Sequence, residues 1–210
     1  PNYILGSGDE VNITIYGVQE ASYDLEISAS GTLTVPYVGV IQASGFRLES
    51  FEARLKQKMI SAGYPGISSG QTKLAVNVNN VRTISVTVVG ASKPGNYSLP
   101  AVATVMHALY AASGPGNLGS YRNIQLIRNS EVAAKIDLYD LLVTGKLPNN
   151  NVLQEGDVIF IPVYSSRVNL LGEYKRPGLF ESKEGESLEE LITYAGGFSE
   201  GAFKDQVIIF

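Results

Sequence analysis

One stretch of this chain is written twice. VVGASKPGNYSLPAVATVMHALYAASG, from Val88 to Gly114, reappears as LLGEYKRPGLFESKEGESLEELITYAGG from Leu170 to Gly197. Each copy runs an apolar strand into Gly, then a Pro-Gly pair (Pro94-Gly95, Pro177-Gly178) and an aromatic residue. A Thr or Ser follows, then a short apolar helix ending in small residues and Gly. A repeat at this spacing means two copies of one compact module, so function is expected to reside in the arrangement of modules rather than in one catalytic pocket.

The repeat divides the 210 residues into three expected domains, 1–82, 83–165 and 166–210. In the first, Val11, Ile13 and Ile15 alternate with Asn12 and Thr14, the period of a half-buried strand. Short strands are predicted on either side of a hairpin-like turn at Ser30-Gly31. A helix is predicted over Leu48–Ser61, with Leu48, Phe51, Leu55 and Met59 on one stripe and Gly63 and Pro65 stopping it. Leu74, Val76 and Val78 mark the next strand. In the second domain Ile84–Val88 is followed by a return strand from Tyr97, then a Thr104-capped helix with Val105, Ala108, Leu109 and Ala112 inward. Strands at Ile124–Ile127 and Val132–Ile136, a helical turn at Leu138–Leu142 and the closing VLQEGDVIFIP complete it. Several strands around one short helix suggest a β-grasp fold. The third domain repeats the plan from Arg167, with a Ser187/Glu190 capping box and a stripe of Leu188, Leu191, Ile192 and Ala195. Its next strand is expected over Gln206–Phe210, without the strands that close the first copy. The fold class is therefore α+β: a small mixed domain followed by two β-grasp modules, the second incomplete. An unclosed module would expose an apolar edge, so a longer natural chain is expected at the carboxy end and, with the opening Pro1-Asn2-Tyr3, at the amino end.

Composition removes several functions. Basic and acidic residues number 16 and 20, for a net charge of −4, and no Lys/Arg run provides a footprint for nucleic acid. With no cysteine there is neither a disulfide frame nor a thiolate metal site. No apolar run approaches the roughly 20 residues that span a bilayer. Gly114-Pro115-Gly116-Asn117-Leu118-Gly119 spells G-x-G-x-x-G, but it follows a helix and precedes a strand, the reverse of a dinucleotide site, and reads as a loop. His107 is the sole histidine and sits on a short apolar helix without metal-ligand spacing around it. The carboxylates Asp9-Glu10, Glu155/Asp157 and Glu184/Glu186 each lie beside a turn glycine and read as acceptors of nearby backbone amides rather than as acid/base pairs. No catalytic residue, cofactor or metal ligand is assigned. The 12 tyrosines suit aromatic contact with sugars or with protein neighbours, with partial core packing the leading alternative for most of them individually.

YILGSGDEVNITIYG followed by GTLTVPYVGVIQASG resembles the amino-terminal domain of bacterial (Wza-like) polysaccharide export proteins. The matching positions are Tyr3, Leu5, Gly6, Gly8 and Asp9, then Pro36, Tyr37 and Gly39. The two repeats resemble the SLBB β-grasp modules that follow it, and Gly156-Asp157 before an apolar strand is similar to the close of the first such module. The resemblance implies a periplasmic, outer-membrane-associated homo-oligomeric ring through which a capsular or exopolysaccharide passes without catalysis. It also implies docking on an inner-membrane polysaccharide copolymerase or tyrosine kinase, and membrane attachment through a lipidated Cys and a terminal helix that these residues lack. Tyr37, Tyr121 and Arg122 are the candidate saccharide or lumen contacts, each with packing or a salt bridge as the alternative. The competing reading is a β-grasp module protein that binds a small molecule or saccharide and forms no channel.

Overall fold

The computed structural model describes residues 3–147 and 149–203. The chain divides into two compact units, residues 1–83 with 100–102, and residues 84–99 with 103–210.

In the first unit β1 (Glu10–Gly17) lies between β2 (Ala21–Glu26) and, after intervening elements, β5 (Thr72–Asn80), antiparallel to both. Between them come the hairpin of β3 (Thr32–Val35) and β4 (Gly39–Gln42), then α1 (Leu48–Ser61) and α2 (Pro65–Ser69). The β1 alternation buries Val11, Ile13 and Ile15, and the α1 stripe buries Phe51, Leu55 and Met59 in the same core. Each such side chain contributes about 1.5–3 kcal/mol by leaving water. Two local expectations change. The turn at Ser30-Gly31 joins strands of different sheets, β2 pairing with β1 and β3 with β4. Pro65 ends nothing: it opens α2 at the first helical position, where its missing N–H costs no bond.

In the second unit β6 (Thr83–Val89), β7 (Gly95–Pro100), α3 (Val105–Ala111), β8 (Ile124–Arg128), β9 (Glu131–Ile136), α4 (Leu138–Thr144) and β10 (Val158–Phe160) build a sheet of order β7-β6-β10-β8-β9. First and last strands meet in parallel at its centre, β6 beside β10, and the crossover between them is long, as parallel pairing requires. This is the β-grasp plan. Val86 and Val88 of β6 and Val105, Ala108, Leu109 and Ala112 of the helical segment are all buried. The second copy follows with β11 (Ser166–Leu170), antiparallel β12 (Gly178–Ser182) and α5 (Leu188–Tyr194). The strand predicted over Gln206–Phe210 lies outside the described residues.

The repeat recurs in hydrogen bonds as well as in letters. Ser92 and Lys93 N–H donate to Gly114 and Ala112 carbonyls, while Lys175 and Arg176 N–H donate to Gly197 and Ala195. Gly114 N–H returns to Leu109 and Gly197 N–H to Ile192. Gly116 N–H reaches Gly90, and Ser199 N–H reaches Glu173. The G-x-G-x-x-G segment is the loop expected from its place after a helix. Gly116 and Gly119 are needed because the Gly90 backbone passes so close that an added Cβ would lie 3.2 and 3.1 Å from its carbonyl oxygen.

Candidate functional site

Three Gly-acid turns organise the polar chemistry of the molecule. In the first, Asp9 is wholly buried and accepts the Gly6 N–H (2.7 Å), the Tyr3 hydroxyl (2.6 Å) and the Arg82 N–H (2.8 Å). The Arg82 guanidinium closes the turn with a salt bridge of 3.2 Å. Burial and the hydrogen bond to Asp9 raise the Tyr3 pKa, keeping its phenol a donor. In the second turn Asp157, 1% exposed, accepts the Gln154 N–H (2.8 Å) and a bidentate fork from Arg128 (2.8 and 2.7 Å). In the third, Glu186 accepts the Lys183 N–H (3.0 Å) and the Arg122 guanidinium (2.5 Å). The glycine before each acid, Gly8, Gly156 and Gly185, has φ of 89°, 79° and 79°, which an L side chain rarely adopts. The turn chemistry read from the sequence is what these carboxylates do. Their arginine partners were not visible there.

The third turn differs in joining the two β-grasp copies. Arg122 is 5% exposed and gives Nε to Asp137 (3.2 Å), Nη1 to Glu186 and to the Glu181 carbonyl, and Nη2 to the Tyr194 hydroxyl (3.0 Å). Its guanidinium lies 4.7 Å from the ring centres of both Tyr139 and Tyr194, which themselves meet edge to face at 4.9 Å. Glu181 accepts the Ser120 hydroxyl (2.5 Å) and the Tyr121 N–H (2.7 Å), and its own N–H donates to the Tyr139 hydroxyl (2.8 Å). Lys183 adds a bond to Asp137 (2.6 Å). Burial alone would lower the Arg122 pKa, but Glu186 and Asp137 outweigh it and raise it. Burial likewise pushes Glu186 up, yet Arg122, the Lys183 N–H and Tyr194 leave it below its ordinary value.

This arrangement reassigns one candidate contact. Arg122 is a junction residue, its donors spent inside the protein, and the salt-bridge alternative describes it. Tyr121 is part-exposed and holds its place through its backbone N–H. Tyr37 is 86% exposed in a left-handed turn (φ 62°) between Pro36 and Gly39, at the tip of the β3–β4 hairpin. The structure brings Tyr121 and Arg122 together and leaves Tyr37 in the other unit. Tyr3, Gly6, Gly8 and Asp9 converge on one turn, Leu5 is buried beside them, and Gly156 and Asp157 form its counterpart. Pro94-Gly95 and Pro177-Gly178 lead into β7 and β12. His107 Nδ1 accepts the Thr104 N–H (3.1 Å) and so serves the start of α3.

Surface hollows open among the described residues. One of about 410 Å³ beside the junction carries Arg122, Lys135, Asp137, Asp140, Lys183 and Glu184. One of about 550 Å³ between the copies is lined by Tyr121, Leu142, Arg167, Leu179 and Phe180 among others. A third, of about 450 Å³, lies between β4 and α1. Among the described residues no group of three or more His, Asp or Glu could hold a metal ion, and no helix is long and apolar enough to cross a membrane.

An export-type domain followed by β-grasp modules of the SLBB kind is the class that these turns and repeats define. The profile of the polysaccharide biosynthesis/export protein family matches residues 1–89, and that of the SLBB domain matches 85–136 and 167–210. A polysaccharide-export domain and two SLBB repeats thus account for the chain, in that order. Two curated relatives, both the polysialic acid transport protein KpsD of Escherichia coli, are 24% identical to it over 186 residues, 88% of this chain and 32% of theirs. The chain thus spans about a third of the length of those relatives.

Proposed function

We propose that this chain is the periplasmic part of an outer-membrane polysaccharide export translocon, which assembles as a homo-oligomeric ring and passes its cargo without catalysis. The observation that carries the reading is the chain of three Gly-acid turns, each closed by arginine, running through an export domain and two copies of one module. Asp9, Asp157 and Glu186, one member of each candidate acid/base pair, are committed to backbone amides and guanidinium groups. They build walls, and a hydrophilic polymer needs walls that admit and release it rather than a reactive group. The name of the KpsD relatives makes an acidic glycan the expected cargo class. Self-association through unlike faces of neighbouring modules would close a ring, an inner-membrane copolymerase or kinase would deliver the glycan, and parts of the natural protein outside this chain would hold the outer membrane.

Deleting the natural gene and restoring it tests the export reading: surface polysaccharide should disappear and return. A deletion strain with undiminished surface polysaccharide would overturn it. Light scattering on the natural full-length protein tests the ring. A stable monomer would favour the competing reading, a saccharide- or small-molecule-binding module protein without a channel.

A further inference from the structure

Arginines in this molecule are mostly spent. Arg82 and Arg128 close Gly-acid turns, Arg122 holds the junction, and Arg167 donates to the Asn117 and Gly119 carbonyls. Arg54 is different. Its guanidinium lies 4.4 Å over the Phe46 ring, and among the described residues it has neither a carboxylate partner nor a hydrogen bond. Contact with the ring restrains the guanidinium while leaving its N–H groups unused, and a guanidinium with free N–H groups can bind a carboxylate with two parallel hydrogen bonds. The fork borders the hollow of about 450 Å³ between β4 and α1, where Gln42, Gln57 and Ser61 supply the polar rim and Val40 an apolar strip. The Gln57 amide is also without a partner among the described residues. Lys58, one turn beyond Arg54, donates to the Val40 carbonyl, guarding the β4 edge and adding a second positive charge. No carboxylate lines this hollow. The hollow beside the module junction, by contrast, mixes Asp137, Asp140, Glu181 and Glu184 with Arg122, Lys135 and Lys183, and Arg122 and Lys183 are already paired with Asp137.

We propose that the hollow between β4 and α1 is a weak subsite for a carboxylate-bearing sugar of an acidic glycan, with Arg54 gripping the carboxylate, Gln57 a neighbouring hydroxyl or amide, and Val40 the apolar face of the ring. The assignment rests on the export reading for its choice of a glycan over other anions. Weakness suits the role, since a conduit must release at each step what it holds.

The test is an NMR titration of this 210-residue chain with the trimer of N-acetylneuraminate, with maltotriose as a neutral control and phosphatidylglycerol vesicles as an anionic lipid control. The acidic trimer should shift the amides of residues 40–42 and 54–61 saturably, and added salt should weaken the effect. Arg54→Gln should reduce affinity about tenfold, ~1.4 kcal/mol, and Arg54→Lys by less, since it keeps charge and loses the fork. Shifts confined to other residues, equal response to maltotriose, undiminished binding by Arg54→Gln, or response to vesicles alone would each overturn the subsite. Restoration of export by the natural gene is read separately. Normal export with failed trimer binding sinks the subsite and spares the translocon, whereas a gene dispensable for export sinks the translocon itself.

Discussion

In the first copy of the repeat, β6 sits inside a five-stranded sheet, and Val86, Val88, Ala108, Leu109 and Ala112 are all buried. In the second copy, among the described residues, Leu170, Leu191 and Ala195 are buried, while Val168, Phe180 and Leu188 remain half-covered. The hydrogen bonds of the two frames correspond almost one for one. Pro-Gly, the helix and the closing Gly therefore suffice to set the local frame, whereas burial comes from neighbours. The second copy borrows part of its support from the first, through Arg122, Tyr139 and Glu181.

The strongest way to break this contrast is to cut matched leucines. Leu109→Ala should cost about 3–4 kcal/mol, near the middle of the range for a well-packed site, and Leu191→Ala about 2 kcal/mol, measured by urea unfolding. Equal losses would show that the two copies are equally packed. Next comes the junction. Arg122→Leu leaves Asp137 and Glu186 without their guanidinium and should cost about 2–3 kcal/mol, at the lower edge for breaking a buried pair because Lys183 still serves Asp137. Hydrogen exchange should quicken at the β12 and α5 amides and stay slow in β6. Uniform quickening would mean that the copies unfold together.

Acid should act in the same direction more gently. Glu186 titrates below its ordinary value of 4.5 in the folded chain, so its contribution is complete above that value and is lost as pH falls through the lowered one. Acidification should therefore loosen the second copy first, and Glu186→Gln should flatten the dependence; exchange rates read across the carboxylate range check both. The smallest effect distinguishes the helix starts. Ser187→Ala should cost about 1 kcal/mol and His107→Ala about 0.5 kcal/mol, since both helices start with a reciprocal box but Ser187 is the cap itself, whereas His107 is the third-position partner of Thr104.

Much of this organisation was legible in advance, and the boundary of legibility is physical. Helix α1 begins and ends at the predicted Leu48 and Ser61 because its signals are local: an apolar stripe, then Gly63. The Ser187/Glu190 box and the carboxylate turns are equally local, each spanning three residues. What closes those turns is not. Arg82 reaches Asp9 across 73 positions, Arg128 reaches Asp157 across 29 and Arg122 reaches Glu186 across 64, and nothing in periodicity marks such pairs. Arg122 therefore stands in the sequence as a candidate contact with packing or a salt bridge as its alternative, because its loop position is visible there and its burial is not. Pro65 was read as a stop because the following helix is only five residues long. The service of His107 to the Thr104 N–H likewise depends on helix geometry, which periodicity does not mark.

The loop over residues 114–122 works as a gauge block. It leaves α3, slides past Gly90 with clearance so small that a methyl group on Gly119 would lie 3.0 Å from Ile161, and presents Ser120, Tyr121 and Arg122 to the next module in one fixed phase. Lengthening it by a single residue would misalign both of its ends at once. The spacing between successive modules is therefore machined into this segment, and any stack built from them inherits its pitch.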